Sequence, residues 1–296
     1  MSDVRLTGRI VKAVAGIYTV DVPGIGRFAC PGRGLFRKSR ITPVPGDIAD
    51  INSVDYEKST GYLYSIHPRV NELIRPKAAN VTLALLVFSL VSPEVSLLVV
   101  DTMLAYLESL EIKPVLCVNK LDITEPARVE AIKRLYAPAG YAVLPVSAVT
   151  KEGLEAVRTL LNDNIAILAG PSGVGKSSLI NALFPHICQE TGELSRRIER
   201  GKNTTRSCEL FPAGGGQGSG YIADTPGFTS LEEINLPAEQ LMYYFPEFSP
   251  FLGKCFYGDC MHITEHDCAV KAAVGAAVTE GRYESYKALV GKNRGY

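Results

Sequence analysis

Lys176 and Ser177 close the string GPSGVGKS, which begins at Gly170. An amine and a hydroxyl at the end of a glycine-rich turn are the groups that phosphate chemistry requires. Glycines let backbone N–H groups close around phosphate oxygens, and the positive end of a following helix adds to the attraction. Here Gly170, Pro171, Ser172, Gly173, Val174 and Gly175 would form the cradle, with Ser178 continuing it into the helix. Lys176 would reach the β- and γ-phosphates, and Ser177 would hold Mg²⁺ through its hydroxyl. A second constellation lies near the C-terminus, where Cys255, Cys260, His262 and Cys268 follow C-x4-C-x-H-x5-C. Three thiolates and an imidazole so close together can close a tetrahedral Zn²⁺ site, and a full set of four donors points to a structural rather than a catalytic metal. His266 is the alternative imidazole.

The phosphate string has the setting it needs. A buried strand, NIAILA, precedes it, and the helical SLINALF follows. Three further strings each follow a buried strand and resemble the motifs of translation-factor-type GTPases. Asn119-Lys120-Leu121-Asp122, after PVLCV, matches NKxD. The Asp122 carboxylate can accept from the guanine N1–H and exocyclic amine, a donor pair that adenine lacks; losing such bonds is how a site rejects the wrong base. Ser147-Ala148, after YAVLPV, resembles the SA motif that supports the base. Asp224-Thr-Pro-Gly227, after GYIA, matches DxxG: Asp224 would face Mg²⁺ through water and the Gly227 amide the γ-phosphate. In RGKNTTRS (200–207), Thr204 and Thr205 are candidates for the switch threonine, with Thr205 preferred. Phe228 stands where Ras-like enzymes put the glutamine that positions water, so another group or a partner must do that work. The order is permuted, because NKxD and SA precede the phosphate loop and the switch strings follow it. A chain can be permuted in this way when its original ends lie close together. The guanine motifs argue against a P-loop ATPase or metabolic kinase.

The elements that must position these residues fall into three stretches. Residues 1–70 read as short strands, with a hairpin turn at Ala15-Gly16 and further strands at DIADINSV and GYLYSI. They suggest a small N-terminal β-barrel, with an OB-fold, the expected RNA-binding domain, as the leading candidate and a β-domain that only caps its neighbour as the alternative. Residues 71–235 alternate continuous apolar strands with helices such as SLLVVDTMLAYLESL and EPARVEAIKRLYAPAG, the pattern of an α/β P-loop domain. Residues 236–296 turn irregular and cysteine-rich, and are expected to be helical from CAVKAAV to the end: a mainly helical zinc-binding module.

The chain has 296 residues and a net charge of zero, but residues 1–80 carry 12 Lys/Arg against 7 Asp/Glu. Within them Arg27, Arg33, Arg37, Lys38 and Arg40 form a basic patch without an acid. No run of about 18 uncharged apolar residues is present, and the start has no signal-peptide core, so a cytoplasmic protein without a membrane span is expected. Cys30, Cys117, Cys188 and Cys208 are isolated and read as small apolar residues.

With the permuted order and the cysteine spacing in hand, the chain resembles the RsgA family of small-ribosomal-subunit biogenesis GTPases. NELIRP (71–76), GPSGVGKSSLIN, GK-x-TTR, DTPGF and C-x4-C-x-H followed by CAVK carry the resemblance along nearly the whole chain. It implies an OB-fold, a permuted GTPase core and a C-terminal zinc domain. It also implies late maturation of the small subunit, contact with its rRNA, and GTP hydrolysis to GDP stimulated by the ribosomal particle. A monomer using Mg²⁺ with GTP and one structural Zn²⁺ is expected. One departure matters: many members have His before the threonine pair, where this chain has Asn203. An amide can orient water but cannot act as a general base near neutral pH, which puts a histidine-based mechanism in doubt here. A contrasting reading is an RNA-binding assembly module whose nucleotide only locks a conformation.

Overall fold

Alternating burial along residues 6–66 builds the first region, because successive strand side chains point to opposite faces. A computed structural model describes residues 5–32, 41–73, 77–185, 208–213, 220–224 and 236–293. Strands β1 (Leu6–Val14), β2 (Ile17–Val22), β3 (Gly26–Pro31), β4 (Ile48–Asp55) and β5 (Thr60–Ile66) pair in the order β1-β2-β3-β5-β4, and β4 returns to β1. The closed ring leaves no free edge among the five. Its core is Ile10, Val20, Val22, Phe28, Cys30, Ala49, Ile51 and Leu63. The expected hairpin turn is present, with φ of 50° at Ala15 and 81° at Gly16. Strand β3 arises inside the stretch read only as basic, and its Arg27 pairs with Asp21 at 3.5 Å.

After the short strands β6 (Glu72–Leu73) and β7 (Ala78–Ala79), the chain enters β8 (Leu83–Ser89), which is buried throughout. Then come helix α1 (Leu97–Ser109), strand β9 (Lys113–Asn119), helix α2 (Pro126–Tyr136), strand β10 (Ala142–Pro145) and helix α3 (Leu154–Leu161). Strand β11 (Ile165–Ala169), helix α4 (Lys176–Leu183), strand β12 (Glu209–Pro212) and strand β13 (Tyr221–Asp224) follow. The mostly apolar, buried β8, β9 and β11 fit strands covered on both faces.

The chain divides into two compact units. One holds residues 1–83, 155–168 and 183–228; there β11 runs parallel to β13, and β13 pairs antiparallel with β12. The other holds residues 84–154, 169–182 and 229–296. In it β10 runs parallel to β9, with Ala142 opposite Val115.

The C-terminal part of this second unit departs from the expected continuous helix. Two 3₁₀ segments, Ala238–Tyr244 and Pro246–Phe251, precede helix α5 (Ala269–Ala272), which stops before helix α6 (Glu280–Asn293). Gly275, at a φ of 87°, and a bridge between Val274 and Val278 form the break. Phe245, Phe248, Tyr286, Leu289 and Val290 fill the core with Ala105 of α1. In that core Arg282 of α6, 1% exposed, donates to Asp101 of α1 at 2.7 Å and to Glu247 at 2.7 Å. Burial pulls the guanidinium pKa down, but Asp101 and Glu247 more than reverse this and keep it charged. Tyr136 also donates to Asp101, at 2.9 Å. Removing one member of such a buried set strands its partners, at a loss of about 3–5 kcal/mol.

Candidate functional site

The phosphate loop starts where β11 ends. Gly170 sits at a φ of 138°, and a Cβ there would lie 2.0 Å from the Val87 carbonyl oxygen, so β8 leaves room only for glycine. The turn Pro171-Ser172-Gly173-Val174-Gly175 leads into α4, whose first residue is Lys176. Val174 is buried, Ser172, Gly173 and Ser178 are exposed, and Ser177 lies between these extremes. Lys176 Nζ folds back onto the loop, donating to the carbonyls of Gly170 at 2.7 Å and Pro171 at 2.5 Å. Burial draws its pKa down to about 8. An anion in this loop would oppose that burial effect and restore the charge.

Three loops converge on Asn119, which closes β9 and is 2% exposed. Its Nδ2 donates to the Val174 carbonyl at 2.9 Å, and its Oδ1 accepts from the Ala148 amide at 3.4 Å. Gly175 must therefore be bare, since a Cβ would lie 2.4 Å from Asn119 Nδ2. Lys120 adopts a left-handed backbone, φ 65°, and sends Nζ to the Ser92 carbonyl at 2.5 Å and the Gly173 carbonyl at 3.3 Å. The Leu121 amide donates to the Val146 carbonyl at 3.1 Å. Ser147 Oγ donates to Asp122 Oδ1 at 2.6 Å, while the amides of Val149 and Thr150 donate to Ser147 Oγ. Asn119, Lys120, Leu121, Asp122, Ser147 and Ala148 thus meet the phosphate loop within one unit.

Asp224 ends β13, opposite Glu209 in register, and only its backbone is described. Thr204, Thr205, Gly227, Phe228 and Asn203 lie outside the described residues, as do Arg33, Arg37, Lys38, Arg40 and Cys188. Cys30, Cys117 and Cys208 are buried, as read.

The donors of Cys255, Cys260, His262 and Cys268 all lie within 4.8 Å of one another. The Cys255 and Cys268 sulfurs are 3.8 Å apart, and His262 Nδ1 lies 3.5 Å from the first and 3.3 Å from the second. A tetrahedron with ~2.3 Å metal–sulfur bonds has edges of roughly 3.7 Å, close to the spacing of these donors, so the set fits one metal ion. His262 is the imidazole that joins the cluster; His266 does not. Burial pushes the Cys260 thiol up to about 12. At Cys255 burial also pushes upward, but the Ala269 amide and neighbouring thiols outweigh it and hold the thiol low. A divalent cation bound here would favour the thiolate form that its ligands need. Tyr283 and Tyr286 donate to the His262 and Met261 carbonyls, both at 2.8 Å. The Glu265 carboxylate accepts from the amides of Met261 and Ile263. These contacts hold the loop from behind.

Sequence reasoning missed the support. Ser92-Pro93, beneath Lys120 and Gly173, carries no motif. Pro93 is the nearest group to a Cβ built on Gly173, at 3.5 Å. The Arg282 set likewise left no sign, because its partners stand 35 and 181 residues away.

Residues 66–234 match the family profile of the RsgA GTPase, and residues 7–63 that of the RsgA N-terminal domain. The chain is similar to the "Small ribosomal subunit biogenesis GTPase RsgA" of Caldanaerobacter subterraneus subsp. tengcongensis, at 44% identity over 97% of this chain and 95% of the relative. The protein of that name from Alkaliphilus metalliredigens is 40% identical over 98% and 99%. Among solved structures, YjeQ from Thermotoga maritima superposes with a TM-score of 0.84 at 32% identity, covering 99% of this chain and all of that one. YloQ, described as a circularly permuted GTPase, gives 0.83 at 34% identity over 98% and 96%. The fold is thus the permuted one that the motif order implied. Among the described residues no helix is long and apolar enough to cross a membrane.

Proposed function

We propose a role for a chain that belongs to the RsgA GTPase family, and is a GTPase: it docks on the small ribosomal subunit and its rRNA, assists late maturation, and hydrolyses GTP faster when docked. The observation that carries the guanine reading is Asn119, whose side chain ties Val174 of the phosphate loop to Ala148 of the SA string. Asp122 follows three residues later with its carboxylate accepting from Ser147, which supports reading it as the group that recognises the base. In this reading Gly170–Ser178 hold the phosphates, Lys176 neutralises their charge, and Ser177 and Asp224 hold Mg²⁺ directly and through water. Thr205 and the Gly227 amide close on the γ-phosphate. Mg²⁺, when bound, would supply charge stabilisation for phosphoryl transfer. Cys255, Cys260, His262 and Cys268 hold a structural Zn²⁺, favoured by three sulfurs and one nitrogen.

The domains would be an RNA-binding barrel at 1–70, the GTPase at 71–235 and the zinc module at 236–296, in a cytoplasmic monomer. Support for the ribosomal partner comes from the names of relatives matched along nearly their full length, and from Arg33, Arg37, Lys38 and Arg40 in the first domain. Phe228 and Asn203 leave the water-positioning place without a base, so the particle must order the switches or supply a group. Partner-supplied groups in this enzyme class contribute on the order of 10³–10⁵ in rate. Steady-state GTP turnover with and without purified small subunits, at two salt concentrations, tests the reading. Slow turnover alone, strong stimulation, and loss of stimulation at high salt are expected, because phosphate contacts release counterions. Turnover already fast alone, or indifferent to the particle, would overturn it.

A further inference from the structure

The segment Leu90–Ser96 connects β8 to α1 and underlies both halves of the nucleotide site. Its Ser92 carbonyl accepts from Lys120 Nζ, and Pro93 sits beneath Gly173. Hydrogen bonds to Ser89 and the burial of Leu90 and Val95 fold the segment locally, and two longer-range holds join it to other elements. Glu94 pairs with Arg128 of α2, but Glu94 is 66% and Arg128 37% exposed, and exposed pairs of this kind contribute little. The other hold comes through α1, which begins one residue after the seat. Asp101, one helical turn in, accepts from Arg282, which also donates to Glu247, and all three side chains are buried. Arg282 lies in α6, the helix whose Tyr283 and Tyr286 brace the metal loop. An unbroken series of contacts therefore runs from the metal loop to the floor of the nucleotide site.

We propose that Arg282 is a positioning residue for nucleotide binding: by fixing α1 through Asp101 it holds the Ser92-Pro93 seat under Lys120 and Gly173, and so couples assembly of the metal-bearing module to nucleotide affinity. The inference rests on the reading of Asn119–Asp122 and Gly170–Ser178 as the guanine-nucleotide site. It differs from signalling through the switch strings, because the seat supports the base and the phosphate loop in GDP and GTP states alike. The effect therefore falls on nucleotide residence rather than on the hydrolysis step. By reciprocity, bound GDP must also stabilise the module.

The test uses full-length, metal-loaded protein and a fluorescent GDP analogue whose release is followed by stopped flow, well below each variant's melting temperature. Arg282→Met is expected to release GDP about tenfold faster, a coupling of ordinary size, with kcat at saturating GTP changed less than about twofold. Arg282→Lys, which keeps a charge for Asp101, is expected to recover part of the loss. Glu94→Gln should change release by less than about fivefold. Tyr283→Phe removes one hydrogen bond from the metal loop and leaves the triad intact, so it is expected to lower the melting temperature and to speed release far less than Arg282→Met does. Should Arg282→Met fail to fold, Asp101→Asn decides the matter in the same assay. GDP should also slow amide exchange along α6. Release within twofold of the parent in folded Arg282→Met or Asp101→Asn overturns the proposal, as does equal acceleration by Tyr283→Phe. If the parent itself fails to bind GDP, the nucleotide-site reading falls, a result separate from failure of the coupling.

Discussion

The proposed nucleotide site and the candidate metal cluster are both built on loops, yet they are held together in opposite ways. The first gathers residues from three loops between Asn119 and Ser178 and holds them with protein alone: backbone carbonyls, the Asn119 amide and two positions where only glycine fits. The second draws four donors from 14 residues, Cys255 to Cys268, whose thiols and imidazole repel or exclude charge until a cation joins them. Preorganisation without ligand suits a site that must load and release its nucleotide. Dependence on a resident ion suits a scaffold.

The largest effect that separates the two is therefore metal removal. Chelation, or Cys260→Ser with Cys268→Ser, should abolish metal binding, because structural Zn²⁺ contributes about 10–16 kcal/mol in small zinc modules. Metal content should fall from one ion per chain to none, and amide protection across residues 255–290 should collapse. Protection that persists without metal would put the cluster in the same class as the nucleotide site.

Gly170→Ala comes next. The new Cβ would meet the Val87 carbonyl at 2.0 Å, so β8 or the loop must shift. A loss of about 3–4 kcal/mol, divided between stability and nucleotide binding, is expected. Thermal melting with and without GDP measures it, and an unchanged GDP-induced shift would contradict the close packing of this loop.

The smallest effect is electrostatic. Burial lowers the Lys176 pKa to about 8 in the free protein. A bound phosphate favours the ammonium and raises that value, so binding takes up a proton above pH 8 and none well below it. GDP affinity should be flat from pH 6 to about 7.5 and fall by up to about tenfold per pH unit above 8. Calorimetry in two buffers of different ionisation enthalpy would detect the uptake. Affinity independent of pH to 9.5 would mean that Lys176 is charged throughout.

What could be read from the sequence follows the same division. GPSGVGKS, NKLD and the cysteine spacing were legible because the chemistry depends on residues close together in the chain. The barrel strands were legible where period-two alternation was clean. It was blurred in β3, where the exposed Ala29 joins Phe28 and Cys30 in an apolar run, and in the four-residue β12. The helix read through residues 273–279 fails because local composition favours it while Gly275 takes a left-handed turn. Arg282 was invisible for another reason. A charged residue on an ordinary helix reads as solvent-facing, and only the tertiary fold brings Asp101 and Glu247 to it.

Base recognition by Asp122 is the claim on which the rest depends, and equilibrium titration with GDP, XDP and ADP tests it most directly. The parent should bind GDP at least a hundredfold tighter than ADP, since adenine leaves the Asp122 carboxylate without its donor pair. Asp122→Asn should lose GDP affinity and gain XDP affinity, because xanthine presents an acceptor where guanine presents the amine. Equal GDP and ADP affinities in the parent, or an Asp122→Asn variant that still prefers GDP to XDP, would contradict this account.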